Sequence, residues 1–439
     1  MEKVIIVTDL GPGDGGKGSI IHSLARKEDA SVIIKRGGAQ GSHGVRTSRG
    51  ESFNFSQWGC GTFDAIPTFL SNQMVIMPVG LENEAGALKR HGIHNPFAML
   101  SVDYECIVAT PFHKIASQIE ELLRKEKPRG TIGTGVGQAY RMCNNLKDDY
   151  TLLSHQLSNR RIITKVLKKQ RTYYRDKYAN LSYDEVLPED KKLLAGNLAL
   201  LFDDDFLPYI VDLFEAVGEE LSFRTLEEVL KTNGTAIVEC SHGILTDNKT
   251  GFRPHVSAIR TLPEFTERML KTSGYNGQII NLGVHRAYEI RHGAGPMPTY
   301  DAAMTAKMLP DSHKDWNRWQ GGVRAGALDF NLLRYALLVG AGTKFDGICL
   351  TWFDQILNTS RDWQQCLFYK NRPRDGESYA EFLTRAEPTI THRQIIKPIS
   401  EMELFGLVND SLVKTLGIPL AILSVGATEK FKIYPKEGR

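Results

Sequence analysis

KVIIVTDLGPGDGGKGSIIHSL, residues 3–24, is the stretch that decides the fold. It opens with a run of β-branched and apolar residues, 3–8, that is typical of a buried strand. A glycine-rich loop, 11–19, follows, and then an apolar helix start, 20–24. This order predicts a strand–loop–helix unit whose loop lies at the carboxyl end of a parallel strand, where such sheets bind ligands.

The loop between this strand and helix has the features of a phosphate-binding loop. Glycines let backbone N–H groups close around phosphate oxygens, and the helix N-terminus and Lys17 add positive charge. Gly11 and Lys17 have P-loop spacing, but Gly18 stands where a P-loop has Ser or Thr. Asp14 is unexpected, because a carboxylate repels phosphate unless a metal ion or a proton transfer uses it. We predict phosphate binding here; the alternative is a glycine-rich turn with a structural role.

A second glycine-rich loop, GGAQGSHG at residues 37–44, follows the next apolar run. A histidine among small residues has an accessible imidazole, which suits general acid chemistry. Taken alone, His43 is more often a surface or core histidine. Next to a phosphate loop it becomes a candidate catalytic residue.

The composition is that of a large soluble protein. The 439 residues include 54 basic and 51 acidic ones, and this near balance argues against a dedicated nucleic-acid binder. No stretch approaches the roughly 20 apolar residues that span a bilayer, and the N-terminus lacks the apolar region of a signal peptide. The six cysteines form no C-x-x-C pair, so we expect reduced thiols and a cytoplasmic protein.

Short apolar runs recur along the chain with helical patterns between them: 3–8, 31–34, 74–77, 107–109, 236–239, 278–282, 347–351 and 421–424. This alternation predicts an α/β fold with a central, mostly parallel sheet and helices on both faces. We expect one α/β domain over residues 1–430. Residues 146–233, rich in charge and leucine, predict a helical insertion within it, and residues 431–439 a polar tail.

Both glycine loops and six later segments resemble the adenylosuccinate synthetase family. The family's loops read G-D-E-G-K-G-[KS] and G-G-x-N-A-G-H-T, against GDGGKGS at 13–19 and GGAQGSHG at 37–44. RHGAGPMPT at 291–299 matches R-V-G-A-G-P-F-P-T and is the most specific segment. The others follow in the family's order: GTIGTGVG at 130–137, VECSHG at 238–243, RAGALD at 324–329, LTWFD at 350–354 and SVG at 424–426.

The resemblance implies a P-loop-like nucleotide-binding fold and a ligase that condenses L-aspartate with C6 of a purine nucleotide. In this reaction an aspartate removes the N1 proton, the C6 oxygen attacks the γ-phosphate, and the amine displaces the 6-phosphoryl group. By position, Asp14 would be the general base and, with Ser42, a Mg²⁺ ligand. His43 would act as general acid and Lys17 would hold the donor's phosphates. The resemblance also implies a homodimer, with neither nucleic acid nor membrane as partner.

The same resemblance implies binding residues for each substrate. Those for the triphosphate are Gly13, Gly15, Gly16, Gly18, Ser19, Ser42, Gly44, Trp352, Asp354 and Gly426. Those for the purine nucleotide are Gln40, Thr131, Thr134, His242 and Ser257. Those for aspartate are Arg318, Gln320, Gly321 and Arg324.

The donor and aspartate segments depart from the family's pattern. The family's base-reading T-K-x-D is TWFD here, so Trp352 offers a stacking surface and Asp354 can accept from an amine of guanine or adenine. Of the family's four consecutive arginines only Arg324 is in register, with Arg318 nearby. Loss of an arginine near the ribose 2′-hydroxyl favours a deoxyribose. The segment 53–62, which contains the amides of Asn54 and Gln57, is expected to place an amide near the purine pocket.

These departures are similar to the phage-type branch, 2-aminoadenylosuccinate synthetase. We therefore expect dGMP as acceptor, giving 2-amino-2′-deoxy-N6-succinyladenylate for 2-aminoadenine DNA, with ATP or dATP as donor, in the host cytoplasm if a phage encodes the chain. Asp14 opposes this, because the phage branch carries serine there. The alternatives are an ordinary adenylosuccinate synthetase using IMP and GTP, a ligase for another amino acid, and a regulatory NTPase without ligase activity.

Other features receive structural interpretations. The basic run that includes Arg160 and Arg171 predicts a solvated helix face. The three histidines at 285, 292 and 313 lack metal-ligand spacing and are expected to be structural or surface residues. Leu146 stands where the family sends an arginine across the dimer interface, and Arg141 or Lys147 would substitute.

Overall fold

The computed structural model describes residues 1–146, 149–310, 316, 318–396 and 399–436. Its strands are β1 (Lys3–Asp9), β2 (Ala30–Gly38), β3 (His43–Arg46), β4 (Ser52–Phe55), β5 (Thr68–Ile76), β6 (Leu100–Val102), β7 (Ile107–Val108), β8 (Ser222–Phe223), β9 (Thr235–Gly243), β10 (Gln278–Arg286), β11 (Glu289–His292), β12 (Val323–Gly326), β13 (Leu328–Asp329), β14 (Gly347–Thr351), β15 (Asp362–Tyr369), β16 (Pro388–Gln394), β17 (Leu420–Ser424) and β18 (Lys432–Ile433).

The α-helices are α1 (Lys17–Lys27), α2 (Pro78–Arg90), α3 (Pro111–Leu122), α4 (Val136–Leu146), α5 (Arg160–Tyr178), α6 (Lys191–Phe202), α7 (Phe206–Glu220), α8 (Leu226–Leu230), α9 (Pro263–Thr272), α10 (Ala302–Met308), α11 (Phe330–Val339), α12 (Phe353–Thr359), α13 (Tyr379–Leu383) and α14 (Glu401–Leu416). Short 3₁₀ helices lie at Thr62–Asp64, Pro96–Met99, Ser154–Gln156, Tyr183–Glu185, Pro188–Asp190, Ile244–Thr246 and Glu429–Phe431.

The central sheet has eleven strands in the order β18-β17-β14-β10-β1-β9-β2-β5-β6-β8, with β7 beside β5. Every pair in it is parallel except β17 with β18. This confirms the predicted α/β fold with a mostly parallel sheet. Smaller sheets pair β3 with β4, β11 with β12, and β15 with both β13 and β16.

β1 shows why the sheet is covered on both faces. Val4 and Ile6 pack in one apolar cluster with residues of α8 and α9. Ile5 and Val7, which point to the opposite face, pack in another cluster with residues of α1. Since both faces are buried, the strand is apolar over residues 4–7 instead of alternating with polar residues.

Residues 146–233 are mainly helical, as the sequence predicts, and contain α5 to α8. The segment also supplies β8, which pairs with β6 at the end of the sheet. Arg160 lies on a solvated face and pairs with Asp212 and Glu215. The prediction was wrong for Arg171, which is buried on the inner face of α5 and donates to the Leu201 carbonyl at 3.0 Å.

The sheet extends into the segment predicted as a tail, because β18 adds an antiparallel strand to β17. Tyr434 then packs back on α1, with its hydroxyl 2.7 Å from Ser23 Oγ and its ring under the Lys27 ammonium. All six cysteines are free thiols. Within the described ranges no helix combines the length and apolarity needed to cross a membrane.

The common direction of the parallel strands determines where the site lies. Since β1, β2, β9, β14 and β17 run in one direction, the loops that follow them meet at one edge of the sheet. Both glycine-rich loops lie there.

Candidate active site

A cavity of about 1130 Å³ opens along this edge. Pockets for one drug-sized ligand are usually about 300–1,000 Å³, so the cavity is large enough for several small substrates. Its lining brings together most of the residues predicted from the sequence: Gly13, Asp14, Gly16, Lys17, Gly18, Ser19, Gln40, Ser42, His43, Gly44, Thr131, Thr134, His242, Ser257, Gln320, Trp352, Asp354 and Gly426.

The phosphate loop is organised by Asp9, which the sequence prediction missed. Asp9 is fully buried at the end of β1, and its two oxygens accept from the backbone N–H groups of Gly11 and Gly15, each at 2.8 Å. Lys17 Nζ donates to the same carboxylate at 2.9 Å and to the His242 carbonyl at 3.1 Å. Gly15 was predicted to bind the triphosphate, but its N–H points to Asp9 and it does not line the cavity.

Asp14 lies at the mouth of the loop with a left-handed backbone (φ 59°), and its side chain is 49% exposed. Arg286 Nε donates to its backbone carbonyl at 2.6 Å. Its Oδ2 lies 3.1 Å from His292 Nε2. Desolvation raises the pKa of Asp14, but the hydrogen bond and charge of His292, with the charges of Arg286 and Lys17, outweigh it and lower the pKa. Asp14 is therefore a carboxylate at neutral pH.

His292 corrects a prediction, because it was expected to be structural or at the surface. It lines the cavity and contacts the candidate base. Its position next to Arg291, inside the most specific matching segment, was the signal that could have identified it. His285 is buried and bonded to the Arg286 carbonyl, which agrees with a structural role. His313 lies outside the described residues.

The oxygen donors near the loop fit Mg²⁺, which prefers hard oxygen ligands. The Asp14 carboxylate and the oxygens of Ser42 are of this kind and border the cavity. Across the described ranges, the residues that cluster closely enough to hold a metal ion are His43, Cys60 and Glu239. That cluster is buried and contains a thiol and an imidazole, which do not suit Mg²⁺.

His43 begins β3 and is 7% exposed. Its Nδ1 lies 2.7 Å from Glu239 Oε1, on β9. Burial lowers the pKa of His43; the hydrogen bond to Glu239 opposes this shift and the charges of Lys17 and Lys35 reinforce it. The imidazole is therefore neutral, and its Nδ1–H is directed at Glu239, because a carboxylate can only accept.

The end of the cavity that holds the predicted purine-binding residues contains a side-chain pair, in which Gln40 Nε2 lies 2.7 Å from His242 Nε2. Gln40 Oε1 is buried and has no hydrogen-bond partner in the described part of the chain. Of the two amide residues in the segment 53–62, Asn54 lines the cavity. Gln57 does not line it, because its side chain is buried and its amide bonds both backbone groups of Met77.

A group of arginines flanks the segment 130–137 at the same end; the sequence prediction missed Arg124 and Arg129 and expected Arg141 only as a cross-subunit residue. Arg124, Arg129 and Arg141 all line the cavity. Arg129 Nε donates to the Pro254 carbonyl at 2.9 Å, and its own carbonyl lies 3.0 Å from His255 Nδ1. Burial lowers the pKa of Arg129, and so do the nearby charges of Arg141 and Arg124. Cations that are close enough to repel one another in this way favour an anion such as phosphate.

Arg141 therefore lines the cavity of its own chain. Lys147, the other proposed substitute for a cross-subunit arginine, lies outside the described residues.

The predicted aspartate loop is only partly at the cavity. Gln320 lines it, but Gly321, Arg318 and Arg324 do not. Arg318 forms a bidentate pair with the buried Asp190. Arg324 donates to the carbonyls of Gly293 and Gly295, at 2.6 and 2.8 Å. These contacts occupy the guanidinium groups within the protein, and neither predicted arginine lines the cavity.

The donor end is formed by the loops after β14 and β17. Trp352 has a left-handed backbone (φ 59°), and the Arg286 guanidinium lies 4.2 Å from the centre of its ring system. Burial raises the pKa of Asp354. Lys432 Nζ closes the loop by donating to the carbonyls of Gly426 and Thr428. A flat ring beside a carboxylate suits a nucleobase that carries an amine.

Comparison with known proteins gives one consistent picture. The family model described as adenylosuccinate synthetase matches residues 6–402. The adenylosuccinate synthetase of Francisella tularensis subsp. novicida is 25% identical and the alignment covers 99% of each chain. That of Thermoplasma acidophilum is 26% identical over 94% of this chain and 88% of the relative.

Two solved structures resemble the fold. The fully ligated adenylosuccinate synthetase of Plasmodium falciparum has a TM-score of 0.80 at 19% identity, covering 99% of this chain and all of that one. The cyanophage S-2L succinoaminodeoxyadenylate synthetase, bound to dGMP and dATP, has a TM-score of 0.57 at 14% identity, covering 99% and 95%.

The close approach of the two glycine loops generates a first prediction. A Cβ on Gly18 would lie 2.3 Å from the Gly44 carbonyl oxygen, so Gly18→Ala must separate α1 from the second loop. We expect it to destabilise the protein by about 1–3 kcal/mol and to weaken triphosphate binding. Gly86→Ala is the matched control, because this helical glycine has open space and alanine there adds up to about 1 kcal/mol of stability. Equal effects in urea unfolding would contradict the proposed contact.

A second prediction concerns acid stability. Burial and the charge of Lys17 lower the pKa of His242 to about 4, whereas an unfolded histidine titrates near 6.5. The unfolded state therefore binds this proton first, and stability is lost as the pH falls from about 6.5 towards 4. Between pH 8 and pH 5 the wild type should lose roughly 2 kcal/mol more unfolding free energy than His242→Asn. Parallel pH profiles of the two proteins would refute this.

Proposed function

Because the chain belongs to the adenylosuccinate synthetase family, we propose that it condenses L-aspartate with C6 of a purine nucleoside monophosphate, driven by cleavage of a nucleoside triphosphate. Members of the family are C–N ligases that form adenylosuccinate from aspartate and IMP with a triphosphate, and the chain is an enzyme of this class. The observation that carries the proposal is the convergence of Asp14, Lys17 and His43 on one cavity.

The geometry supports a division of roles between Asp14 and His43. The ionised Asp14 accepts the purine N1 proton, so that the negative charge develops on the C6 oxygen. That oxygen attacks the γ-phosphorus of the donor, the bond to the β-phosphate oxygen breaks, and the diphosphate leaves. His43 faces the oxygen being phosphorylated, and Glu239 stabilises the imidazole whenever it carries a second proton.

The amine of aspartate then attacks C6, and the C6–oxygen bond breaks to release phosphate. The phosphate-loop amides would hold the donor's phosphates, and Lys17, paired with Asp9, places a positive charge beside the loop. Asp14 and Ser42 would hold Mg²⁺, which when bound neutralises charge on those phosphates.

IMP is the acceptor that we propose first, with GTP as donor. The full-length relatives are named adenylosuccinate synthetases, and Asp14 is retained where the phage branch carries serine. This order reverses the expectation from the sequence. It rests on relatives that align over 94–99% of this chain, whereas the cyanophage enzyme is similar in fold at 14% identity.

dGMP with ATP or dATP is the second candidate. It is favoured by Trp352, which lines the cavity, and by the sequence Gly321-Gly322-Val323, which lacks the arginine that the family places near the ribose 2′-hydroxyl. We also propose a homodimer. The altered aspartate loop favours a test of other amines, because Arg318 and Arg324 are bonded within the protein.

The proposed reaction predicts aspartate-dependent phosphate release. We would combine Mg²⁺ and aspartate with IMP, GMP or dGMP and with GTP, ATP or dATP, and identify products by mass spectrometry. We expect a succinylated IMP adduct, formed best with GTP, that Asp14→Asn abolishes by removing the base. Preferential conversion of dGMP with ATP or dATP would establish the second candidate instead.

The remaining outcomes separate the other classes. An adduct with a different amine, such as glutamate or glycine, would show that the altered loop selects another amino acid. Triphosphate hydrolysis with no adduct in any combination would contradict the ligase and identify an NTPase.

The position of Asp354 leads to a prediction about how the donor base is recognised. Its carboxylate can accept from both N1–H and the 2-amino group of guanine, but from adenine it can accept only at the 6-amino group. Asp354→Asn should therefore lower kcat/KM for GTP by about 10–100-fold, the effect of losing one or two charged hydrogen bonds, and that for ATP much less. Trp352→Phe, which keeps a flat ring, should leave the ratio between donors unchanged. An equal loss for both donors would contradict this role of Asp354.

A further inference from the structure

A buried lysine lies behind the candidate acid. Lys35, on β2, is fully buried, and its Nζ donates to Glu239 Oε1 at 2.8 Å and to the Trp58 carbonyl at 3.0 Å. Lys35 and Glu239 are register partners on the neighbouring strands β2 and β9. A buried ammonium is costly unless it is paired and hydrogen-bonded, so its presence next to a reaction centre requires a reason.

Glu239 joins this lysine to His43. Its Oε1 accepts from Lys35 and lies 2.7 Å from His43 Nδ1, while its Oε2 accepts from the Cys60 N–H at 2.9 Å. The carboxylate is fully buried, and these three groups determine its orientation. His43 Nε2, by contrast, has no partner among the residues described, and the ring borders the cavity.

We propose that Lys35 is a positioning residue for the ligase reaction. It holds Glu239 as a carboxylate in a single orientation, and Glu239 fixes His43 with Nδ1–H inward and Nε2 towards the C6 oxygen of the acceptor. This inference rests on the proposed function only for the identity of the acceptor atom. The chain of contacts from Lys35 to His43 exists in the protein without substrate.

The charge of Lys35 explains why a lysine is needed at this place. Burial raises the pKa of Glu239, but the adjacent Lys35 charge and the His43 contact outweigh it and lower the pKa. Without the lysine, a buried acid favours its protonated form and can donate to Nδ1. His43 would then take the opposite tautomer, and a neutral Glu239 could not stabilise the second proton that the ring must carry to act as a general acid.

The test uses the full-length enzyme with Lys35→Met, Glu239→Gln and the double variant. Lys35→Met should lower kcat by about 10²-fold, the usual contribution of a positioned acid or base, with KM for acceptor and donor changed less than about threefold. Lys35→Arg, which keeps the cation, should restore part of kcat. Arg171→Met is the control, because it removes another buried cation that pairs with Asp204, far along the chain in the helical insertion.

The double variant separates positioning from folding. Removing both charges should return the urea midpoint towards that of the wild type, because no unpaired charge remains buried. It should not restore kcat. The glutamine that replaces Glu239 must turn its oxygen to the Cys60 N–H, and its amide N–H group then faces His43 Nδ1. This reverses the tautomer and leaves no carboxylate to stabilise a second proton on the ring.

A spectroscopic experiment tests the same inference without measuring the ligase reaction. In [¹⁵N]histidine-labelled enzyme at a fixed neutral pH, with His43 assigned from His43→Gln, the wild type should show protonated Nδ1. Lys35→Met and Glu239→Gln should show the other tautomer or a mixture. An unchanged His43 spectrum in Lys35→Met, or a double variant that regains kcat together with stability, would overturn the proposal. Absence of ligase activity in the wild type would refute the proposed function, and the spectra would still decide the role of Lys35.

Discussion

The ion pair between Asp9 and Lys17 is the constraint on which the site depends. Asp9 ends the central strand, so its buried carboxylate can reach the backbone of the phosphate loop and the first turn of α1 together. One side chain thus fixes the loop's shape and the position of Lys17, and Lys17 in turn links α1 to β9 through the His242 carbonyl. A buried carboxylate with three donors is well satisfied, so the protein's own contacts hold the loop in this shape.

A second buried pair, Lys35 with Glu239, lies one strand away and repeats the arrangement on the other side of β9. Each pair combines one positive and one negative charge. The histidines nearby can therefore remain neutral, and burial keeps the pKa of both His43 and His242 low. Asp14 differs from these buried groups, because its carboxylate is half exposed to the cavity. The two buried ion pairs therefore add almost no net charge to the surroundings of Asp14 and His43.

The fold could be predicted from the sequence because it follows from local patterns: apolar runs, glycine loops and the spacing between them. The first two loops were located correctly for the same reason. Partners distant in the sequence could not be predicted. Arg318 matched the aspartate segment, but the buried Asp190 binds it, and nothing near Arg318 in the sequence indicates that contact. The strand at 432–433 was missed because two residues carry no periodicity, and only the neighbouring β17 makes them a strand.

The centre and the two ends of the cavity differ in how freely their side chains can change. At the centre, Asp9, Glu239 and both lysines are buried, and each is needed by at least one partner, so a single substitution leaves a charge unpaired. At the ends, Arg129, Trp352 and Gln320 border the cavity, so a replacement there changes the surface that a ligand meets. We therefore expect the buried pairs to set the reaction type, and the rim to set the choice of acceptor, donor and amine. A chain of this fold can thus keep one reaction while substitutions at the rim exchange its substrates.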